Sequence, residues 1–155
     1  GNNIKILPNS FADTNTVRTL SLKDNHIKKL PDNFYKLNKL EFLNISKNDF
    51  TIFPDEILKL TNLKVLNISF NELLIIPAKI HALKNLEVLY LTNTQIKELP
   101  KTFKKLKNLK DLFISDELLT EDDKKKIIKH LPKHSKITWT SKDYYHDLDF
   151  TRELK

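Results

Sequence analysis

Three consecutive segments of the chain repeat one pattern of apolar and polar positions. Residues 40–62 read LEFLNISKNDFTIFPDEILKLTN, residues 63–85 read LKVLNISFNELLIIPAKIHALKN, and residues 86–108 read LEVLYLTNTQIKELPKTFKKLKN, so that each segment starts 23 residues after the last. Apolar and polar residues alternate in the first half, which predicts a short strand. In the second half a proline precedes apolar residues spaced by three, which predicts a short helical or 3₁₀ turn.

The repeat register extends over most of the chain. Full repeats begin at Val17, Leu40, Leu63 and Leu86, and a fifth begins at Leu109. The pattern predicts strands at residues 19–22, 42–45, 65–68, 88–91 and 111–114, stacked in register as a parallel sheet. Residues 1–16 match the second half of a repeat, so we interpret them as a partial N-terminal repeat. The chain thus opens in mid-repeat, and we expect that residues upstream of Gly1 have been removed.

One asparagine recurs at the end of each predicted strand. Asn25, Asn48 and Asn71 share this position, and Asn2 lies one repeat earlier. In a tight bend a buried amide can satisfy neighbouring backbone groups, so we predict a structural asparagine ladder rather than isolated turn residues. Thr94 and Glu117 take this position in the last two repeats. The glutamate fits the bend poorly, which indicates that the array ends there.

A different pattern follows Leu119. Thr120 and the three acids after it predict a helix N-terminus, the helix continues to residue 130, and Pro132 ends it. Residues 136–139 then predict a last strand. We therefore divide the chain into repeats over 17–119, a C-terminal cap over 120–140 and a tail over 141–155, which we expect to pack on the cap or to lead into further chain.

These units resemble the 23-residue leucine-rich repeats whose second half reads LPxxΦxxL, where Φ is apolar. The segment LLTEDDKKKIIKHLPKHSKITW resembles the C-terminal cap of bacterial members. The resemblance implies an α/β solenoid, a curved horseshoe arc with a concave parallel sheet, short turns on the convex side and a helix–strand cap. It also implies a non-enzymatic interaction scaffold, more often exported or surface-exposed than cytoplasmic, although the compartment stays open.

Such a scaffold would bind a protein partner through outward-pointing residues of the concave strands, where apolar and aromatic side chains form anchors. The alternative is that these residues only reflect strand propensity. The predicted partner-binding residues are Phe42, Asn44, Val65, Asn67, Phe70, Val88, Tyr90 and Phe113.

The amino-acid composition excludes several kinds of catalytic and ligand-binding site. The chain has no Cys and its one glycine is Gly1, so it offers no thiolate nucleophile and no glycine-rich phosphate loop. We find no catalytic motif, and we expect no cofactor, no metal and no small-molecule substrate. His130 and His134 are separated by Pro132, so a helix-end role for His130 is favoured over a metal site. A cation site in the tail, at Asp143, His146, Asp147 and Asp149, is a minor alternative.

The net charge of +7 raises a second hypothesis. Lysines cluster on the predicted convex side, at Lys101, Lys104, Lys105, Lys107, Lys110, Lys124, Lys125, Lys126 and Lys129. They would suit an electrostatic binder of nucleic acid or of an anionic surface. No aromatics interleave with them and acids interrupt them, so we favour a solvated face and expect no nucleic acid partner. No apolar run is long enough to span a membrane. The uncapped N-terminal edge would also allow end-to-end self-association.

Overall fold

The computed structural model describes residues 2–14 and 16–141, which form a repeat solenoid around one parallel sheet. The strands follow one another in chain order, and each pairs only with its neighbours in sequence. Their bounds agree with the predicted ones to within one residue at each end. They are β1 (Thr19–Ser21), β2 (Phe42–Asn44), β3 (Val65–Asn67), β4 (Val88–Leu91), β5 (Asp111–Ser115) and β6 (Lys136–Thr140).

The register of the sheet follows directly from the repeat period. Leu43 pairs with Leu66, Leu66 with Leu89, and Leu89 with Leu112. All four side chains point into the core and are fully buried. Because successive strands carry leucine at the same phase, a shift of one residue would turn every leucine out of the core. The period therefore fixes the register.

Five 3₁₀ turns line the convex side, as the proline-led second halves predict. They are η1 (Asn9–Ala12), η2 (Phe34–Lys36), η3 (Asp55–Lys59), η4 (Ala78–Ala82) and η5 (Lys101–Lys105). Pro54, Pro77 and Pro100 each directly precede a turn with φ between −64° and −70°, the angle that their rings impose. Each of the last four turns directs large apolar side chains into the core, and these are Phe34, Ile57, Leu58, Ile80 and Phe103.

The bend after each of the first four strands passes through a left-handed residue. Asp24, Lys47, Phe70 and Asn93 have φ between 51° and 59°, and each directly precedes a position of the asparagine series. This conformation costs about 1–2 kcal/mol for a residue with a Cβ. The bend was predicted, but its strain lies on the residue before the asparagine, which varies in type and therefore carries no sequence signal.

The C-terminal cap has the predicted form. The helix α1 (Glu121–His130) begins with a reciprocal capping box, in which Thr120 Oγ1 accepts from the Asp123 N–H and the Asp123 carboxylate accepts from the Thr120 N–H. Ile127 is its fully buried residue, and β6 adds in parallel to β5. No helix within residues 2–14 and 16–141 is long and apolar enough to cross a membrane.

Candidate protein-binding surface

Five apolar side chains meet on the concave face of the sheet. We call them the concave patch, and they are Phe42, Val65, Val88, Tyr90 and Phe113. The register brings them together, because Phe42, Val65 and Val88 are successive pairing partners and Tyr90 pairs with Phe113. The Tyr90 and Phe113 rings stack with centroids 4.5 Å apart. The patch is separate from the main core on the other side of the sheet.

The expectation that these side chains are exposed is wrong for three of them. Phe42 exposes 3%, and Val65 and Tyr90 expose 4% each, whereas Val88 and Phe113 are half-buried. Large side chains on strands about 4.8 Å apart cover one another's flanks. Truncation of Phe42 or Tyr90 should therefore affect the stability of the domain as well as binding.

Two polar residues of the predicted binding surface are engaged locally. Asn44 Oδ1 accepts from the Ser46 N–H at 2.9 Å and from the Ser46 hydroxyl at 2.6 Å. Asn67 Oδ1 accepts from the Ser69 N–H at 3.0 Å. Both side chains are buried. These amide oxygens accept hydrogen bonds from the residue two positions ahead in the same chain. The alternation of polar and apolar residues in the sequence does not reveal such a local bond.

The last predicted binding residue, Phe70, lies in the left-handed bend after β3, three residues beyond the end of the strand. It is half-buried. The Lys47 ammonium lies 5.6 Å from the centroid of its ring, within cation–π range. Lys47 occupies the same position one repeat earlier, so the period of the array explains this contact.

The asparagine series forms a chain of hydrogen bonds across repeats. Asn48 Oδ1 accepts from the Ile27 N–H at 3.0 Å, and its Nδ2 donates to the carbonyls of Leu22, Ile45 and Ser46. Asn71 repeats this arrangement one step later. Asn25 accepts from the Ile4 N–H at 3.1 Å. These side chains thus tie each bend to its neighbour.

The two ends of the series differ from its middle. Thr94 Oγ1 donates to the Leu91 carbonyl at 2.8 Å, one of the bonds that an asparagine makes. Asn2 is exposed, and its backbone N–H donates to the Asp24 carbonyl. The backbone N–H of Asn2 therefore makes its contact with the next repeat.

Charged side chains form a second periodic network that the sequence analysis missed. The Glu41 carboxylate lies between Arg18 and Lys64, each one repeat away, with Lys64 Nζ at 2.6 Å. Hydrogen bonds from Lys64 and then Arg18 hold the pKa of Glu41 below its usual range. Lys110 and Glu87 pair in the same way in the next repeats, at 2.5 Å. The sequence signal for this network is that oppositely charged residues lie 23 positions apart.

A lateral patch of exposed apolar residues was also missed. It comprises Ile52, Leu74, Ile75 and Leu118, which are 60–79% exposed. Leu74, Ile75 and Leu118 line an open groove of about 750 Å³ on the flank of the solenoid. The signal was present, because Ile52 and Ile75 share one phase and each directly precedes a core position.

The lysines of the predicted electrostatic surface are partly paired with acids. Lys124 lies 3.1 Å from Asp116 and Lys126 lies 2.7 Å from Asp122. His130 Nδ1 lies 2.7 Å from the Leu99 carbonyl, which joins the end of α1 to the fourth repeat. Among the described residues no group of three His, Cys, Asp or Glu could hold a metal ion. The tail residues Asp143, His146, Asp147 and Asp149 lie outside the described residues.

Comparison with known proteins agrees with this fold. The family model "Leucine rich repeat" matches residues 1–50 and 61–119, more than half of the chain. The chain belongs to the leucine-rich repeat family. Members of this family generally act as protein-interaction modules and are generally non-enzymatic.

Among solved structures, the chain is similar to a leucine-rich repeat protein of Leptospira interrogans. The two are 25% identical with a TM-score of 0.40, and the match covers 88% of this chain and 52% of that one. The chain thus spans about half the length of this relative. No curated protein matches it significantly.

Proposed function

We propose that this leucine-rich repeat domain binds a protein partner through its concave patch and carries out no catalysis of its own. The observation that carries the proposal is the cluster of aromatic and aliphatic side chains outside the main core. Tyr90 stacked on Phe113 provides a large rigid anchor, and aromatic anchors dominate the energetics of protein interfaces. The lysines that flank the solenoid would then serve solubility.

The supporting chemistry favours a protein over a polyanion. The concave patch carries no lysine or arginine among its five members, whereas a nucleic acid surface would need basic groups interleaved with aromatics. Two of the lysines are already paired with acids, Lys126 with Asp122 on the same helix and Lys124 with Asp116 after β5. We therefore place the electrostatic hypothesis second.

The proposal is tested by affinity capture with the full chain and two variants. Val88→Lys adds a charge at a half-buried position of the patch, and Lys104→Glu with Lys105→Glu changes exposed lysines on η5. We expect a partner that is retained by the lysine variant and lost from Val88→Lys. Matching thermal unfolding midpoints would show that the loss reflects the surface and not the fold. If the lysine variant loses the partner and Val88→Lys keeps it, the electrostatic hypothesis replaces this one.

A further inference from the structure

The Phe113 ring has one open face on the concave side of the sheet. Its centroid lies 4.5 Å from that of Tyr90 on the preceding strand, and the two ring planes are 13° apart. Because this separation is close to the spacing of adjacent strands, about 4.8 Å, the rings stack in the direction that runs from strand to strand. The other face of Phe113 is therefore turned toward β6, where its pairing partner is the short side chain of Thr138. Since Phe113 is only half-buried, this face has room for one more flat group.

A carboxylate lies next to this open face. Asp111 precedes Phe113 by two residues on β5, so both side chains lie on the concave face, about 6.6 Å apart along the strand. Asp111 is half-buried, and it is the pairing partner of Val88 in the concave patch. Its carboxylate forms no ion pair or hydrogen bond with another side chain among the described residues. The apolar column of the patch therefore ends at an acid that has no counter-ion there.

An aromatic face beside a carboxylate fits a cation. The quadrupole of the ring attracts an ammonium or guanidinium group that lies within about 6 Å of its centroid. The guanidinium group of arginine is flat, so it can stack on the Phe113 ring while its N–H groups donate to the Asp111 carboxylate. A neutral partner that covered Asp111 would instead bury its charge without a counter-ion. These two side chains can therefore discriminate between partners that fit the apolar part of the patch equally well.

One cation of the chain lies close to this pair. Lys136 is the pairing partner of Asp111 on β6, on the side away from Val88. Its side chain is exposed and forms no ion pair with Asp111. An ammonium group on a long stem interacts through water, whereas a half-buried carboxylate acts more strongly on a group that lies over it. The carboxylate therefore dominates the preference for charge, and Lys136 opposes it weakly.

We propose that Asp111 and Phe113 together bind a cationic side chain of the protein partner, arginine in preference to lysine, and so determine which partner the concave patch accepts. Since the concave patch supplies the apolar part of the same interface, the assignment rests on the proposed function. The partner is then a segment that carries a basic residue beside an apolar one. Asp111 favours such a segment and Lys136 disfavours it, so the two charges should affect binding in opposite directions.

Random linear peptides displayed on phage supply the probe, because they require no known partner. Peptides are selected on the full chain, and those that also bind Val88→Lys are discarded. The tightest is synthesised with each arginine replaced in turn by citrulline, or each lysine by acetyl-lysine, which removes the charge and keeps most of the shape. Fluorescence anisotropy gives its Kd for the native chain, Asp111→Asn and Lys136→Gln. The control Asp55→Asn makes the same charge change at an exposed position on η3.

We expect the selected peptides to share a basic residue. The charged peptide should bind Asp111→Asn about fivefold or more weaker than the native chain, because a charge-assisted hydrogen bond is lost. The neutral peptide should bind both proteins equally, so that the two changes are coupled in a double-mutant cycle. Lys136→Gln should tighten binding of the charged peptide by up to about threefold, and Asp55→Asn should change it by less than about twofold.

Peptides without a basic residue, or equal Kd values for the native chain and Asp111→Asn, would overturn the proposal while binding by the concave patch stands. Tighter binding by Asp111→Asn and weaker binding by Lys136→Gln would also overturn it, because these signs belong to an anionic partner. If no selected peptide depends on Val88, the proposed function fails and this site fails with it. Thermal unfolding midpoints equal to that of the native chain would show that each variant is folded.

Discussion

The asparagine ladder allows a specific prediction about stability. Asn48 hydrogen-bonds to four backbone groups, and these groups differ in whether they have a second partner. The carbonyls of Leu22 and Ile45 keep a second donor when its amide is removed, since Asn25 Nδ2 and Asn71 Nδ2 also donate to them. The Ser46 carbonyl keeps the Asp24 N–H. The N–H of Ile27, a residue with 0% exposure, has Asn48 Oδ1 as its partner. The principal loss in Asn48→Ala is therefore this buried donor.

The magnitude follows from that accounting. An unsatisfied buried donor costs about 1–3 kcal/mol, and the weakened carbonyl bonds bring the total to roughly 2–4 kcal/mol. Asn62→Ala is the matched control, because Asn62 is exposed and donates one bond, to the Asn38 carbonyl at 2.8 Å. It should cost less than about 1 kcal/mol. Asn48→Thr should fall between them, as Thr94 supplies one such bond in the native chain.

Urea denaturation followed by circular dichroism measures these differences, and variants with equal m-values can be compared by their midpoints. The reasoning is refuted if Asn48→Ala destabilises the domain no more than Asn62→Ala. That result would mean that the bend is held by its backbone alone.

Three further predictions concern other features. Since the pKa of Glu41 is lowered from 4.5 by Lys64 and Arg18, its ion pairs stabilise the fold above that pH and are lost as pH falls through the lowered value. Urea titrations at several pH values should thus show Glu41→Gln costing most near neutrality and almost nothing in acid; a constant cost would contradict this. Thr120→Ala removes the capping box and should cost about 0.5–2 kcal/mol by thermal unfolding, and no change would exclude the cap as a stabilising feature. Lys47→Val places a β-branched residue at φ 52° and should be less stable than Lys47→Gly by about 1–2 kcal/mol, whereas the reverse order would show that this bend is unstrained.

Much of the fold was predictable because the repeat applies one constraint five times. A leucine at the same phase in β2, β3, β4 and β5 fixes both the alternation and the register, so the strand bounds were correct to within a residue. Thr120 caps the N-terminus of the cap helix and Pro132 cannot continue it, so these two residues located its ends in the sequence. Such signals act within a few residues or at one period.

The surface was predicted less well because the burial of its side chains depends on how those of neighbouring strands pack on one another. Phe42 and Tyr90 were assigned correctly to the concave side, yet alternation distinguishes only the two faces of a sheet and gives no depth of burial. The amide oxygens of Asn44 and Asn67 were assumed to point outward, but they bond to residues two positions ahead in the same chain. The role of all these residues in binding remains a prediction.

Site-specific photo-cross-linking tests the central claim, that the partner binds on the concave face. A photoreactive phenylalanine is introduced in the full chain at one of three positions: Phe113 in the concave patch, Ile75 in the lateral patch, or Lys104 on the convex side. Irradiation in extracts of its own cell should give a specific adduct from position 113 and none from position 104 or 75. An adduct formed only from position 75 or 104 would contradict the account and place the interface on the flank or the lysine face.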